Sequence, residues 1–190
     1  ELRRRTAIEL TLALSESSPW AGPRRPGPPP VPDTGRIASL PADIDEPMMR
    51  RALSLAEQAA GHGDVPIGAV VARSDEVLGA AGNERELRVD PTAHAEVLAL
   101  RQAAERLGGW RLPETTIYVT LEPCAMCAGA IALARVPRLV YGAPDPKGGA
   151  VGTVVDLYSE PVVNHRPQVE GGLLAEESAA LLESFFSARR

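Results

Sequence analysis

The chain has few aromatic residues, only two Trp, three Tyr and two Phe among 190. A core built on ring packing is therefore excluded, and Ala, Val and Leu must fill it. Cysteine is scarcer still. The two present, Cys124 and Cys127, stand three apart, which cannot make the disulfide framework of a small secreted domain and fits a reducing, cytoplasmic setting. No run approaches the roughly 18 uninterrupted apolar residues that a membrane-spanning helix needs, so no membrane association is expected. Residues 3–14 imitate a leader, with Arg3, Arg4 and Arg5 ahead of apolar positions, but Glu9 interrupts a run that is already short. Positive charge is also lacking. Twenty Lys and Arg face twenty-five Asp and Glu, for a net charge of −5, so any contact with nucleic acid must come from a local patch. The G-x-S-x-G elbow, the P-loop and G-x-G-x-x-G are absent, which removes the common serine-hydrolase, nucleotide-triphosphate and dinucleotide chemistries.

What the chain does contain falls into two parts. Between Pro19 and Gly35, ten of seventeen residues are Pro or Gly, a composition that supports neither a helix nor a ladder. Residues 1–45 are accordingly expected to form a disordered or polyproline-like arm, followed by one domain over 46–190. In the domain, Asp45 and Pro47 read as the start of a helix whose buried stripe is Met48, Ala52, Leu55, Ala56 and Ala59. Strands are expected at 66–73 and 76–82. Asp90-Pro91 reads as the opening of a second helix, with Val97, Leu100, Ala104 and Leu107 at helical spacing. A strand at 115–121, a helix from Pro123 to about Arg135, a strand at 138–141, a short strand at 154–157 and a last helix bearing Leu174, Leu181 and Phe185 complete the pattern. Alternating strands and helices predict an α/β sandwich.

The chemistry concentrates in His94-Ala95-Glu96 and Pro123-Cys124-Ala125-Met126-Cys127. Two cysteines three apart at a helix start leave on one face, where free backbone N–H groups favour thiolate. Taken alone, C-x-x-C reads equally as a redox pair or as half of a structural zinc site. No second cysteine pair exists to complete four protein ligands, and His94 supplies a third ligand instead. His94 and Glu96 lie about 200° apart around a helix axis, so both can serve one centre only if the helix end faces it. With His94, Cys124 and Cys127 holding one zinc ion per chain, a fourth position is open to water and Glu96 can move protons. This combination resembles the H-x-E…P-C-x-x-C signature of nucleobase deaminases. His62 and His165 have no ligand spacing.

The segments Asp90-Pro91-Thr92-Ala93-His94-Ala95-Glu96 and Val119-Thr120-Leu121-Glu122-Pro123-Cys124-Ala125-Met126-Cys127-Ala128-Gly129 resemble the bacterial tRNA-specific adenosine deaminases, the TadA family. The likeness continues through Val140-Tyr141-Gly142-Ala143, Asp145-Pro146-Lys147, Asn164-His165-Arg166 and Phe185-Phe186, covering about residues 47–190. It implies a three-layer α/β/α sandwich with a central five-stranded mixed sheet (cytidine-deaminase-like) and a homodimer. It further implies conversion of the wobble adenosine to inosine in the anticodon stem-loop of an arginine tRNA, through zinc-held hydroxide and a proton shuttle at Glu96. Asn83 stands where the family hydrogen-bonds the extruded base. Val65-Pro66 stands where the family lines the pocket, with a buried strand start as the alternative. Asp145 falls near the family's substrate. Arg135, Arg138, Lys147, Arg166, Arg189 and Arg190 come from segments directed toward it, each alternatively a solvated charge. The Phe185-Phe186 pair reads as helix packing or as base stacking. Ala128, Gly129, Ala132 and Ala134 form a small-residue surface that would admit a second subunit or an ordinary core. Pro144 and Pro146 stiffen a loop expected to touch RNA. A guanine, cytosine or nucleotide deaminase on the same scaffold is the rival reading.

Overall fold

A computed structural model describes residues 42–189. The proline-rich arm up to residue 41, and Arg190, lie outside the described residues. The described chain runs α1 (Ala42–Gly61), β1 (Gly68–Arg73), β2 (Glu76–Gly82), α2 (Arg85–Arg88), α3 (Ala95–Leu107), β3 (Thr116–Leu121), α4 (Ala125–Leu133), β4 (Arg138–Ala143), a 3-10 turn (Leu157–Ser159), β5 (Gln168–Gly171) and α5 (Ala175–Ser187). The strands form one five-stranded sheet in the order β2-β1-β3-β4-β5. β1 is antiparallel to both its neighbours, whereas β3, β4 and β5 run parallel. The sheet is therefore mixed, and helices cover both faces, the architecture that the family resemblance implies.

Alternation along the strands divides the core between the two faces. Ala69, Val71, Ile117 and Val119 point toward α3 and α4, where they meet Ala95, Ala99, Ala103, Ala128 and Ile131. Val70, Ala72, Tyr118 and Val140 point the other way, against Met49 and Ala52 of α1 and Leu173 and Leu174 before α5. Small residues at these contacts let helices approach the sheet closely. At Gly68 a Cβ would sit 1.9 Å from the Ala52 carbonyl oxygen, so α1 could not pack there against any other residue.

Several local expectations are corrected. Helix α1 begins at Ala42, upstream of the expected boundary, and its buried face is Met49, Ala52, Leu53, Ala56 and Ala59. Met48 and Leu55 are only partly buried beside it. Asp45 is no cap. Its carboxylate accepts from Arg138 Nη1 and Nη2, each at 2.7 Å, and from the Tyr118 hydroxyl at 2.7 Å. The strand expected at 154–157 does not form. Val154 and Val155 are more than half exposed, and their amides donate to the Gly149 carbonyl within a loop. The edge strand is instead Gln168–Gly171, a polar segment with a terminal glycine and no β signature. In α5 the buried residue is Ser178, while Leu181 and Phe185 are half-buried.

Arg138 was a candidate for RNA contact, but its side chain is 8% exposed and is shared between Asp45 and Glu170. Burial alone would raise the Asp45 carboxyl, but the Arg138 and Tyr118 hydrogen bonds outweigh it and hold the group below the usual range. Arg138 likewise lowers Glu170. Lowered carboxyls stabilise above their unfolded values near pH 4, and that stabilisation fades as acid protonates the folded groups. Arg138→Ala should destabilise the domain by about 3–5 kcal/mol in urea unfolding, since it strands Asp45 at a largely buried position. A loss below about 1 kcal/mol, the range of exposed pairs, would contradict a buried anchor at this point.

Candidate active site and metal centre

Two helix starts converge at the carboxyl ends of β2 and β3, beside the amino end of β1. The first is prepared by a turn and not by an early helix start. Asp90 accepts from the Thr92 amide and hydroxyl, both at 2.7 Å, and the Ala93 amide donates back to the Asp90 carbonyl. This closes an Asx turn and delays the helix to Ala95. His94 thus occupies the N-cap in extended conformation (φ −72, ψ 148), and Glu96 lies in the first turn. The angular conflict between the two is relieved because His94 is outside the helical spiral. Cys124 is likewise an extended N-cap (φ −71, ψ 171), and Cys127 lies one turn in. The Ala128 amide bonds to the Cys124 carbonyl at 2.8 Å.

His94 Nδ1 lies 3.7 Å from Cys124 Sγ and 3.5 Å from Cys127 Sγ. The three ligand atoms are all within 4.8 Å of one another. A tetrahedral zinc ion, with bonds of about 2.3 Å to sulfur and about 2.0 Å to nitrogen, requires an N–S edge of about 3.5 Å. The donor set and its spacing fit that ion. Glu96 is 4% exposed, and its Oε2 has no hydrogen-bond partner, an orphaned buried polar atom of the kind that marks a site of chemistry.

Charge in this cluster is distributed unevenly. Hydrogen bonds from Cys127 and His94 bring the Cys124 thiol down to about 3. The resulting thiolate, together with burial and the Glu96 charge, pushes Cys127 strongly up. The bond to Cys124 raises His94, and burial raises Glu96. One anion is comfortable here, and a second needs a cation to offset it, which a divalent ion supplies. A glutamate whose carboxyl burial raises above its usual range holds a proton more readily, which suits a group that both accepts and donates one.

A cavity of about 850 Å³ opens beside His94. Val65, Ile67, Asn83 and Leu121 line it from the sheet side, and Asp145 and Lys147 from the loop after β4. Leu182 and Phe186 of α5 line it, with Arg189 just past the end of that helix.

The MafB19-like deaminase family matches residues 44–190. The tRNA-specific adenosine deaminase of Haemophilus influenzae is 46% identical over 154 residues, spanning 80% of this chain and 89% of that one. The solved structure of a tRNA:A34 deaminase, studied for A-to-I editing at the wobble position of transfer RNA, superposes with a TM-score of 0.70 at 49% identity. It covers 71% of this chain and 98% of that one. The chain belongs to the bacterial tRNA-specific adenosine deaminase family. A guanine deaminase from Nitrosomonas europaea shares the fold more distantly, with a TM-score of 0.64 at 26% identity over 75% of this chain and 84% of that one.

The other candidate residues separate into those at the deaminase cavity and those away from it. Asn83 is buried and lines it. Asp145, Lys147 and Arg189 line it as well. Pro66 is buried and does not, its neighbours Val65 and Ile67 doing so instead. Arg166 turns its guanidinium onto the Tyr158 carbonyl at 2.6 Å, His165 Nε2 bonds the Val136 carbonyl at 2.7 Å, and Arg135 pairs with Asn164. The Asn-His-Arg segment thus fastens a loop. Arg190 lies outside the described residues. The two phenylalanines meet edge to face at 5.4 Å. Phe186 lies at the cavity, whereas Phe185 supports the Arg189 guanidinium, 3.5 Å from its ring centre. Ala128 and Ala132 face the core.

Two features at this site had no sequence signal. Helix α2, only four residues long, carries Arg85 to the cavity and is held by buried Asp64, which accepts from the Glu86 and Leu87 amides at 2.8 and 3.1 Å. Glu122, 2% exposed, accepts from three loop amides.

Proposed function

We propose that this chain hydrolytically deaminates the wobble adenosine of an arginine tRNA anticodon to inosine, with His94, Cys124 and Cys127 holding one zinc ion. The observation that carries the reading is the nitrogen–sulfur triangle at 3.5 and 3.7 Å with the buried carboxyl of Glu96 nearby. When bound, zinc supplies Lewis acidity and lowers the pKa of a coordinated water toward neutrality. Glu96 takes a proton from the attacking water, passes it to the purine ring, and then delivers a proton to the departing ammonia. Asn83 offers its amide to the extruded base, and Phe186 offers a face for stacking. Arg85, Lys147 and Arg189 neutralise phosphates near the cavity despite the acidic total. The enzyme works as a cytoplasmic homodimer.

The names of the relatives support RNA over free bases, and Arg85, Lys147 and Arg189 set three cations against Asp145 and Glu183 at the cavity. Incubating the purified protein with an anticodon stem-loop of arginine tRNA should produce inosine, read by mass spectrometry, with guanine and free adenosine turned over poorly. Comparable turnover of guanine would transfer the reading to the free-base enzymes of the same fold.

A further inference from the structure

We propose that Glu122 is a positioning residue for RNA binding, holding the loop that carries Asp145 and Lys147 at the cavity rim. The inference rests on the tRNA reading above and adds a role for a side chain that never reaches the cavity. Glu122 follows the last residue of β3, and its amide donates to the Ala143 carbonyl at 2.9 Å. Its carboxylate then turns into the loop after β4. Oε2 accepts from the Asp145 amide at 3.1 Å, and Oε1 accepts from the amides of Val151 and Thr153 at 3.2 and 3.0 Å. These three partners are backbone amides, and against the effect of burial they and the Thr153 side chain hold the carboxyl below its usual range. The loop closes around a single buried anion, and its amides satisfy the charge.

Two further observations tie the loop to this anchor. A Cβ at Gly149 would lie 2.4 Å from Glu122 Oε2, so the chain can pass the carboxylate only at a glycine. Asp145, placed by its own amide, then accepts from the Lys147 amide at 2.9 Å, which fixes the turn from which the lysine projects. Lys147 is exposed and lines the cavity. The Asp145 turn is local and sets only its own shape, while the flanking Pro144 and Pro146 donate no amide that could tie it to the sheet. Without the carboxylate the segment loses the tie at Asp145 itself and keeps, farther along, the Ala150 amide on the Pro123 carbonyl at 2.9 Å.

Glu122→Gln keeps the side-chain shape but replaces one accepting oxygen by a donor, so one contact to the loop fails. The test is the salt dependence of binding and turnover of the anticodon stem-loop by the full chain loaded with zinc. Wild type, Lys147→Ala, Glu122→Gln and the double variant are compared. Lys147→Ala should reduce the slope of log Kd against log salt by about 0.7, the share of one single-strand phosphate. Glu122→Gln should reduce it similarly and raise KM several-fold, with kcat and zinc content near wild type. The double variant should add little to either, because the two residues act through one contact.

A wild-type slope in Glu122→Gln, additive effects in the double variant, or a fall in kcat at unchanged KM would each overturn the proposal. Should Glu122→Gln fail to fold, Gly149→Ala strikes the same anchor from the loop side and must show the same slope change. Failure of the tRNA reading is separable, since wild type itself would then form no inosine from the hairpin.

Discussion

Glu96→Ala will lose at least a hundredfold in inosine formation and still bind one zinc ion per chain. Acid–base catalysis by a positioned group contributes about 10²–10⁴, and no other carboxylate joins the His94, Cys124 and Cys127 group among the described residues. The substitution leaves all three ligand atoms untouched. It also removes a buried acid whose Oε2 has no partner, so unfolding stability should hold or rise, in contrast to the loss expected wherever a bonded group is cut away. Activity and stability are therefore expected to move in different directions. Glu96→Gln, which preserves shape but cannot exchange a proton, should be equally inactive. Undiminished turnover in either variant would remove Glu96 from the reaction, and loss of zinc would show that it is holding the metal instead.

The layers and the helix–strand alternation were legible because both depend on periodicity over many residues. Ile117 and Val119 facing one way and Tyr118 the other is a pattern that survives small errors of boundary. Helix starts were less legible. Asp90-Pro91 looks like a cap followed by a first helical residue, yet the Asp90 side chain is used by Thr92, and the helix waits for Ala95. Propensity cannot distinguish an Asx turn from an N-cap, since both use the same carboxylate on a nearby amide. The edge strand at 168–171 was invisible for another reason. It pairs with β4 on one side only and is mostly exposed, so nothing selects apolar alternation there.

At the site, the grouping of His94, Cys124 and Cys127 was legible, and the residues that support it were not. Ligand residues carry their chemistry in their type and spacing. Supporting residues such as Glu122 and Asp64 act through backbone amides distant in sequence, and an acidic residue in isolation reads as a surface charge. Arg138 and Arg166 show the converse. As charges they suit RNA, but the fold uses one for Asp45 and Glu170 and the other for a carbonyl. Only the three-dimensional arrangement tells which cations remain free.

Removing the ion should cost more than removing any single proton carrier. Cys127→Ala deletes the most buried of the three ligands, leaving His94 and Cys124, two donors where a catalytic zinc site has three. Zinc content should fall from one per chain to a small fraction, and inosine formation should drop by about a thousandfold or more, since the proton shuttle and the Lewis acid are then both idle. Because an ion that binds the folded chain stabilises it by mass action, about 2.7 kcal/mol at a hundredfold excess over Kd, the melting temperature should fall as well. A chelator acting on the wild type should reproduce all three effects, and added zinc should reverse them. The same experiment separates this centre from the redox reading that C-x-x-C admits. A dithiol would ignore chelation and respond to oxidant, whereas thiolates committed to an ion resist alkylation until the ion is withdrawn. Full activity in chelator, with sensitivity to oxidant alone, would return the pair to thiol chemistry and leave His94 without a role.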